Sequence, residues 1–275
     1  MEEVNRETRE TIGRNDSRTR QELIPMSETL KNSLSDQKLA VDKCRESCGG
    51  PQKCRTGGLV EYMENGITSR VFCPVMEKYL RQIKIQQKIM NALPKNFWDR
   101  SFENFISRTP DLKAALTTAR KFSEKKAWKI GANLVFLGGY GTGKTHLAAA
   151  IVSDAISRGS TAAFVTSTSL TGSIQEISAR FEDLKTIELV AIDDVAVEQE
   201  NKIVMQKMFE LINYRYEAEL GTVMTSNLNP KEFKDLMGER IWDRLAERVF
   251  IVYIQDAESF RKQKRDEYVD WLREE

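Results

Sequence analysis

The sequence predicts an α/β fold: a parallel five-stranded sheet flanked by helices, preceded by a small cysteine-bearing module. Three observations predict it. Beyond Gly131 short apolar runs alternate with longer helix-like segments, the pattern of a parallel sheet whose crossovers are helices. Four glycines crowd the joint between the first run and the helix after it, in "VFLGGYGTGKTHLAAAI", Val135 to Ile151. All four cysteines fall between Cys44 and Cys73, well ahead of the alternating region.

A chain of 275 residues has room for one ordinary domain and a smaller one, at about 100 to 200 residues per domain. Residues 1 to about 40 are polar and charged, with mobility expected before Met26 and a loose helix carrying Leu30, Leu34 and Leu39 on its apolar side. The cysteines follow among glycines in "CRESCGGPQKCRTGG". Two strand-like runs then flank Asn65-Gly66, a strong hairpin signal. From Val75 to Leu93 the sequence is basic and helical, and Pro94 ends it. An aromatic cluster, "FWDRSFENF", precedes a helix expected from about Asp111 to Trp128.

The alternating region reads as strands "NLVFLG", "TAAFVT", "IELVAIDD", "GTVMTSN" and "RVFIVYI". Between them lie helices from Lys144 and over "SLTGSIQEISARFEDL", "KIVMQKMFELINYRYEAE" and "PKEFKDLMGERIWDRLAE", with a closing helix from Ala257.

Acidic and basic residues nearly cancel, 41 against 42, so any binding to a polyanion must be local. No apolar run approaches the roughly 18 residues of a membrane span, and the charged start lacks the apolar core of a signal peptide, so a cytoplasmic protein with no membrane partner is expected. The single histidine, His146, makes a Ser-His-Asp triad a poor candidate.

Gly138-Gly139-Tyr140-Gly141-Thr142-Gly143-Lys144-Thr145 satisfies G-x-x-x-x-G-K-[ST] between a strand and a helix. Glycines let successive N–H groups turn toward phosphate oxygens, and the helix N-terminus favours the negative charge. Lys144 is expected at the β- and γ-phosphates of ATP and the Thr145 hydroxyl at Mg²⁺. His146, next in the first helical turn, is placed among the residues around the nucleotide in a packing or capping role. A carboxylate is needed beside the loop at the end of another buried strand, and "LVAIDD" supplies it: Asp193 for the metal, Asp194 to orient or deprotonate the attacking water.

This order of motifs resembles the AAA+ class of P-loop NTPases, and more closely the bacterial replicative-helicase loaders of the DnaC and DnaI type within the IstB-like ATP-binding superfamily. The resemblance spans about Pro94 to Arg261 and rests on "SFENF", "GGYGTGKTHLAAAI", "LVAIDDVAVE", "VMTSNLNPKEF", "GERIWDRL" and "ESFR". It implies an ATPase that is weak as a monomer. Asn227 falls where the family has its first sensor, a residue that positions water; the residues alone also allow a strand-end turn. Arg244 falls on the arginine finger that reaches a neighbouring subunit's ATP, with Arg240 one helical turn away as a helper; on residues alone both could pair with Glu239, Asp243 or Glu247. The finger implies self-association through the ATP site. Arg261 is placed near the nucleotide. "SIQEISARF" matches the helical insertion through which loaders touch single-stranded DNA, with Gln175, Arg180 and Phe181 as contacts, or else a plain covering helix.

Cys44, Cys48, Cys54 and Cys73 offer four thiolates within a short, glycine-rich, hairpin-bearing segment, which suits a structural Zn²⁺ site; buried thiols or an iron–sulfur cluster are the other readings. The module resembles the N-terminal domain of the DnaI type, which grips the helicase. The ligands there include a histidine, whereas here the only histidine is in the nucleotide loop. The expected organisation is a mobile or helical segment (1–40), a zinc module (41–76), a helical linker (77–93) and an AAA+ ATPase domain (94–275). The expected partners are the hexameric replicative DNA helicase and single-stranded DNA. The rival readings are a transposition helper of the IstB type acting on duplex DNA and a non-hydrolysing adaptor.

Overall fold

The computed structural model describes residues 38, 40–42, 44, 48, 50–54, 56–64, 66–170, 172–195, 202–255, 259, 260 and 265. Of the helix expected around Leu30, Leu34 and Leu39 only Lys38, Ala40, Val41, Asp42 and Cys44 are described, and these are helical. The three leucines lie outside the described residues, as does the closing helix from Ala257, Arg261 included, apart from Ser259, Phe260 and Arg265. The chain divides into two compact units, Met1–Leu80 and Arg81–Glu275.

In the smaller unit β1 (Leu59–Glu64) and β2 (Ile67–Phe72) form an antiparallel hairpin. Glu64 pairs with Ile67, leaving the two-residue connection that Asn65-Gly66 predicts, with Gly66 at φ 78°. The pleat sends alternate residues to opposite faces. Val60 is buried with Val41, Cys73 and Met76, while Leu59, Met63 and Phe72 point outward.

Helix α1 (Pro74–Ala92) begins directly after Cys73. Its later turns are not a bare connector: Ile85 and Ile89, with Leu93, pack into the core of the larger unit. The Trp98 indole N–H donates to the Leu93 carbonyl at 2.8 Å, satisfying a carbonyl just past the helix end.

The larger unit is a five-stranded sheet in the order β4 (Ala162–Thr166), β5 (Leu189–Asp193), β6 (Gly221–Ser226), β3 (Asn133–Gly138), β7 (Val249–Ile254), parallel throughout. Helices α2 (Pro110–Glu124), α3 (Lys144–Ser157), α4 (Ile174–Lys185), α5 (Lys202–Glu217) and α6 (Pro230–Glu247) cover it. Strands β3, β5 and β6 are buried at every position because both faces are covered, which is why they read as unbroken apolar runs. Leu134, Phe136, Leu189 and Ala191 enter one core with α2 and α3. Val135, Leu137, Val190 and Ile192 enter the other with α4, α5 and α6.

Two element boundaries differ from expectation. The helix predicted to reach Trp128 stops at Glu124, because Lys126 takes a left-handed φ of 50° and a 3₁₀ turn, Ala127–Ile130, drives Trp128 into the core. The helix predicted over residues 169–184 starts only at Ile174, after a 3₁₀ turn at Ser167–Leu170. Ser173 caps it, its hydroxyl accepting from the Glu176 N–H and the Glu176 carboxylate accepting from the Ser173 N–H. Helix α6 is also interrupted: Gly238 has φ 71° and ψ 159°, so the turns bearing Arg240 and Arg244 are set off from those that start at Pro230.

Candidate nucleotide-binding site

At the carboxyl end of β3 the glycine loop turns into α3. Gly143, at φ 89°, is the N-cap of α3 and supplies no side-chain cap, whereas Thr109, Ser173 and Asn229 cap α2, α4 and α6 with their side chains. The first-turn N–H groups of α3 are therefore left for an anion. A Cβ at Gly138 would sit 2.1 Å from the Ile254 carbonyl oxygen, so only glycine fits where β7 passes the loop. A Cβ at Gly143 would sit 2.7 Å from the Phe105 ring, which lies behind the loop. Tyr140 is exposed at the loop tip, and the buried Thr142 hydroxyl donates to the Gly139 carbonyl at 3.1 Å.

Lys144 is buried, and its ammonium donates to the carbonyls of Gly138 and Gly139, both at 2.7 Å, and to Asn227 Oδ1 at 2.9 Å. The strand-end asparagine thus meets the loop lysine directly. Beside it the Thr225 hydroxyl donates to Asp193 Oδ1 at 2.6 Å and accepts from the Asp194 N–H at 2.9 Å, so one side chain of β6 orients both aspartates. The Ser167 hydroxyl donates to the Asp194 carbonyl, and the Ser226 hydroxyl to the Val195 carbonyl. Asp194 has φ 56°, a conformation that Asp tolerates better than most residues and that recurs at functional sites. Burial pushes the Asp193 carboxyl above its ordinary range despite hydrogen bonds from Thr225 and Thr145 and the nearby Lys144 charge. Carboxylate and hydroxyl oxygens in this pairing suit a hard cation such as Mg²⁺.

His146 packs edge-on against Phe105, ring centroids 5.2 Å apart, and its Nε2–H donates to the Ser101 carbonyl at 2.8 Å. It braces the loop from behind. Burial holds its pKa below the ordinary imidazole value, against the pull of the Ser101 bond. A base with a depressed folded-state pKa stabilises the fold above its unfolded pKa, and that stability is lost as pH falls through the folded value. As the sole histidine, its one imidazole C2–H resonance should titrate below about 6.5. The His146→Gln variant should lose less stability than the parent as pH falls below about 6.5, which pH-dependent urea unfolding would measure.

Arg244 lies elsewhere. Its guanidinium donates to Asn213 Oδ1 at 2.7 Å, is 3.4 Å from Glu217 and lies over the Tyr216 ring, all on the last turns of α5. Those turns lead into the amino end of β6, and Arg248, just beyond α6, meets Asn133 at the amino end of β3. Arg244 is therefore set against the opposite end of the strands from its own glycine loop. The pairing with Glu239, Asp243 or Glu247 that the residues alone allowed is replaced by this contact with α5. Arg240 is exposed.

Phe181 corrects the expectation of base stacking: it is buried in the core under α4, among Ile177, Leu184 and Met208. Arg180 donates to the Ser169 carbonyl, and Gln175 is exposed. Sequence reasoning missed Thr225, Ser167 and Phe105. The hydroxyl pair in "TSN" beside a buried carboxylate strand was the available signal for the first.

In the smaller unit no disulfide links the four cysteines, and among the described residues no group of three or more His, Cys, Asp or Glu closes to metal-binding geometry. The thiols nonetheless feel one another. Burial first, then the charges of Cys73, Cys48 and Cys54, raise the Cys44 pKa. Hydrogen bonds from the Thr56 hydroxyl and then the Thr56 and Gly58 N–H groups lower that of Cys54. A thiolate is by its chemistry a soft donor of the kind zinc takes, but the arrangement of these four does not form a site.

The profile of the family described as IstB-like ATP binding protein matches residues 77–268, most of the chain and the whole of this site. The chain belongs to that family. Among individual relatives of the IstB-like chain is the replicative helicase loader DnaC of Escherichia coli K12, 29% identical over 167 residues, 57% of this chain and 68% of the relative. The protein of the same name from Buchnera aphidicola (Schizaphis graminum) is 28% identical over 204 residues, 70% and 79% of the two chains. The crystal structure of the DnaC helicase loader shares the fold with a TM-score of 0.52 at 22% identity, over 58% of this chain and 99% of that one. The crystal structure of DnaI does so with a TM-score of 0.52 at 20% identity, over 61% and 93%. Among the described residues no helix is long and apolar enough to cross a membrane.

Proposed function

We propose that this chain is an ATP-dependent loader of the hexameric replicative DNA helicase, with nucleotide and DNA handled by the larger unit and the helicase gripped by the smaller one. The observation that carries the reading is the meeting of Lys144, Asn227, Thr225 and Asp193 at one loop, in a chain whose relatives are named replicative helicase loaders.

Residues Gly138 to Thr145 hold the phosphates, with Lys144 moving from loop carbonyls to phosphate oxygens. Thr145 and Asp193 hold Mg²⁺. The bound Mg–ATP supplies a γ-phosphoryl group whose transfer to water is limited by positioning and charge stabilisation. Asn227 and Asp194 align that water, and Asp194, on its fixed backbone turn, takes the proton. Arg244 of one subunit completes the site of the next, so hydrolysis is slow in the monomer. Cys44, Cys48, Cys54 and Cys73 hold a structural Zn²⁺ that closes a unit with little apolar core of its own.

The nucleotide acts as a switch as much as a fuel: the γ-phosphate favours contact between subunits and hydrolysis releases it. The test is Lys144→Ala. It should abolish ATP binding, measured by calorimetry, and reduce delivery of helicase onto single-stranded DNA to background; undiminished delivery without ATP binding contradicts the reading. The name of the matched family keeps a transposition helper as the second reading. Filaments on duplex DNA with no helicase complex would favour it.

A further inference from the structure

Helix α1 carries a feature that the site does not use. Between Glu77 and Asp99 the chain contains no acidic residue, although acidic and basic residues balance over the whole protein. Within the larger unit this stretch presents Arg81, Lys84 and Lys88, all exposed, and among the described residues none of the three is paired with a carboxylate. At about 100° and 1.5 Å per residue they fall within an arc of roughly 60° and span about 10 Å of the helix. Exposed Asn91 extends the row.

The row is held rigidly. Ile85 and Ile89 on the adjoining face are anchored in the core, and the Trp98 indole fastens the helix end. We propose that Arg81, Lys84 and Lys88 form a backbone-binding stripe for single-stranded DNA on the ATPase unit. The proposal rests on the loader reading for DNA as a partner and deepens it by naming the surface.

The chemistry selects that partner. Protein interfaces put apolar and aromatic groups at their centre and deplete lysine there, whereas this stripe is cationic at its centre. Within the larger unit the one exposed large apolar residue of this helix, Met90, lies roughly 160° round it from Lys88; exposed Leu80 precedes Arg81, on the other side of the unit boundary. A single row of cations with an amide follows one phosphate chain and reads no bases. With Phe181 buried, α4 offers no aromatic stacking platform, and an electrostatic track on another helix supplies affinity of the kind single strands use.

The test uses the full chain with Arg81→Gln, Lys84→Gln and Lys88→Gln combined, and fluorescence anisotropy with labelled oligothymidine across a salt series. Each phosphate contact contributes about 0.7 to the log–log salt slope for a single strand, so the slope should fall by about 2 and affinity near 0.1 M salt at least tenfold. A control that neutralises exposed Lys113 and Lys121 on α2 and Lys125 at its C-cap removes the same charge and should leave the slope within error. ATPase activity without DNA should match the parent in both. An unchanged slope in the α1 variant, an equal loss in the control, or no preference for the single strand over a duplex of the same length would overturn the assignment. If the α1 variant keeps its DNA affinity but no longer retains the helicase in a pull-down, the stripe is a protein-docking face. The inference then fails while the loader reading stands.

Discussion

Arg244→Ala should bind ATP as tightly as the parent yet hydrolyse it about 10³-fold or more slowly in the assembled state, the usual range for removing an arginine finger. Lys144, Asp193 and Asn227 gather at the carboxyl ends of β3, β5 and β6, while Arg244 is tethered to Asn213 and Glu217 at the other end of the sheet. A six-residue strand such as β6 is about 20 Å long. No side-chain rotation carries the guanidinium to its own loop. Complementation isolates the effect: Arg244→Ala retains an intact nucleotide site, and Lys144→Ala retains an intact finger. Mixed, the two inactive proteins should recover part of the hydrolysis. Mixtures no faster than the sum of their components, or a monomeric parent as fast as the assembly, would rule the role out.

Arg215→Met should lower the stability of the larger unit by about 3 to 5 kcal/mol, the cost of leaving buried partners unsatisfied. For a unit of this size that is a drop in melting temperature on the order of 10 °C. Arg215 is fully buried without a carboxylate. Its five N–H groups donate to the Thr222 hydroxyl and to the carbonyls of Leu184, Ile187, Glu188 and Gly221. Three of those carbonyls lie at or just past the end of α4, where unpaired acceptors and the helix dipole favour a cation. Burial lowers its pKa to about 10, which still leaves it charged at neutral pH. Arg215→Lys keeps the charge but offers fewer donors in another geometry, so it should recover only part of the loss. Differential scanning calorimetry would decide, and a melting temperature unchanged in Arg215→Met would contradict this account of the core.

The sheet, the glycine loop and the aspartate strand are legible in the sequence because each depends on local pattern. The all-apolar runs reflect burial on both faces, and the loop reflects the torsions and close approaches that glycine alone permits. What the sequence conceals depends on distant contacts. Phe181 is not concealed in this way, since it falls in phase with Ile177 and Leu184 on the apolar side of a covering helix and its burial is readable from that spacing. Arg215 reads as one more polar residue of an amphipathic helix, yet the ends of α4 and β6 converge on it. The partners of Arg244 come from α5 rather than its own helix because Gly238 breaks α6 and reorients the turns after it. Trp128 reads as the last turn of a helix, but it sits in a 3₁₀ turn after the left-handed Lys126, and its indole N–H reaches Ser160, 32 residues away.

If this chain delivers a replicative helicase, native mass spectrometry of the full chain mixed with its host's helicase should capture the two together. With an ATP analogue, the expected spectrum is that of a stoichiometric complex of several subunits of each protein, carrying one zinc ion per loader. A folded protein that forms no complex with the helicase under any nucleotide condition would contradict it.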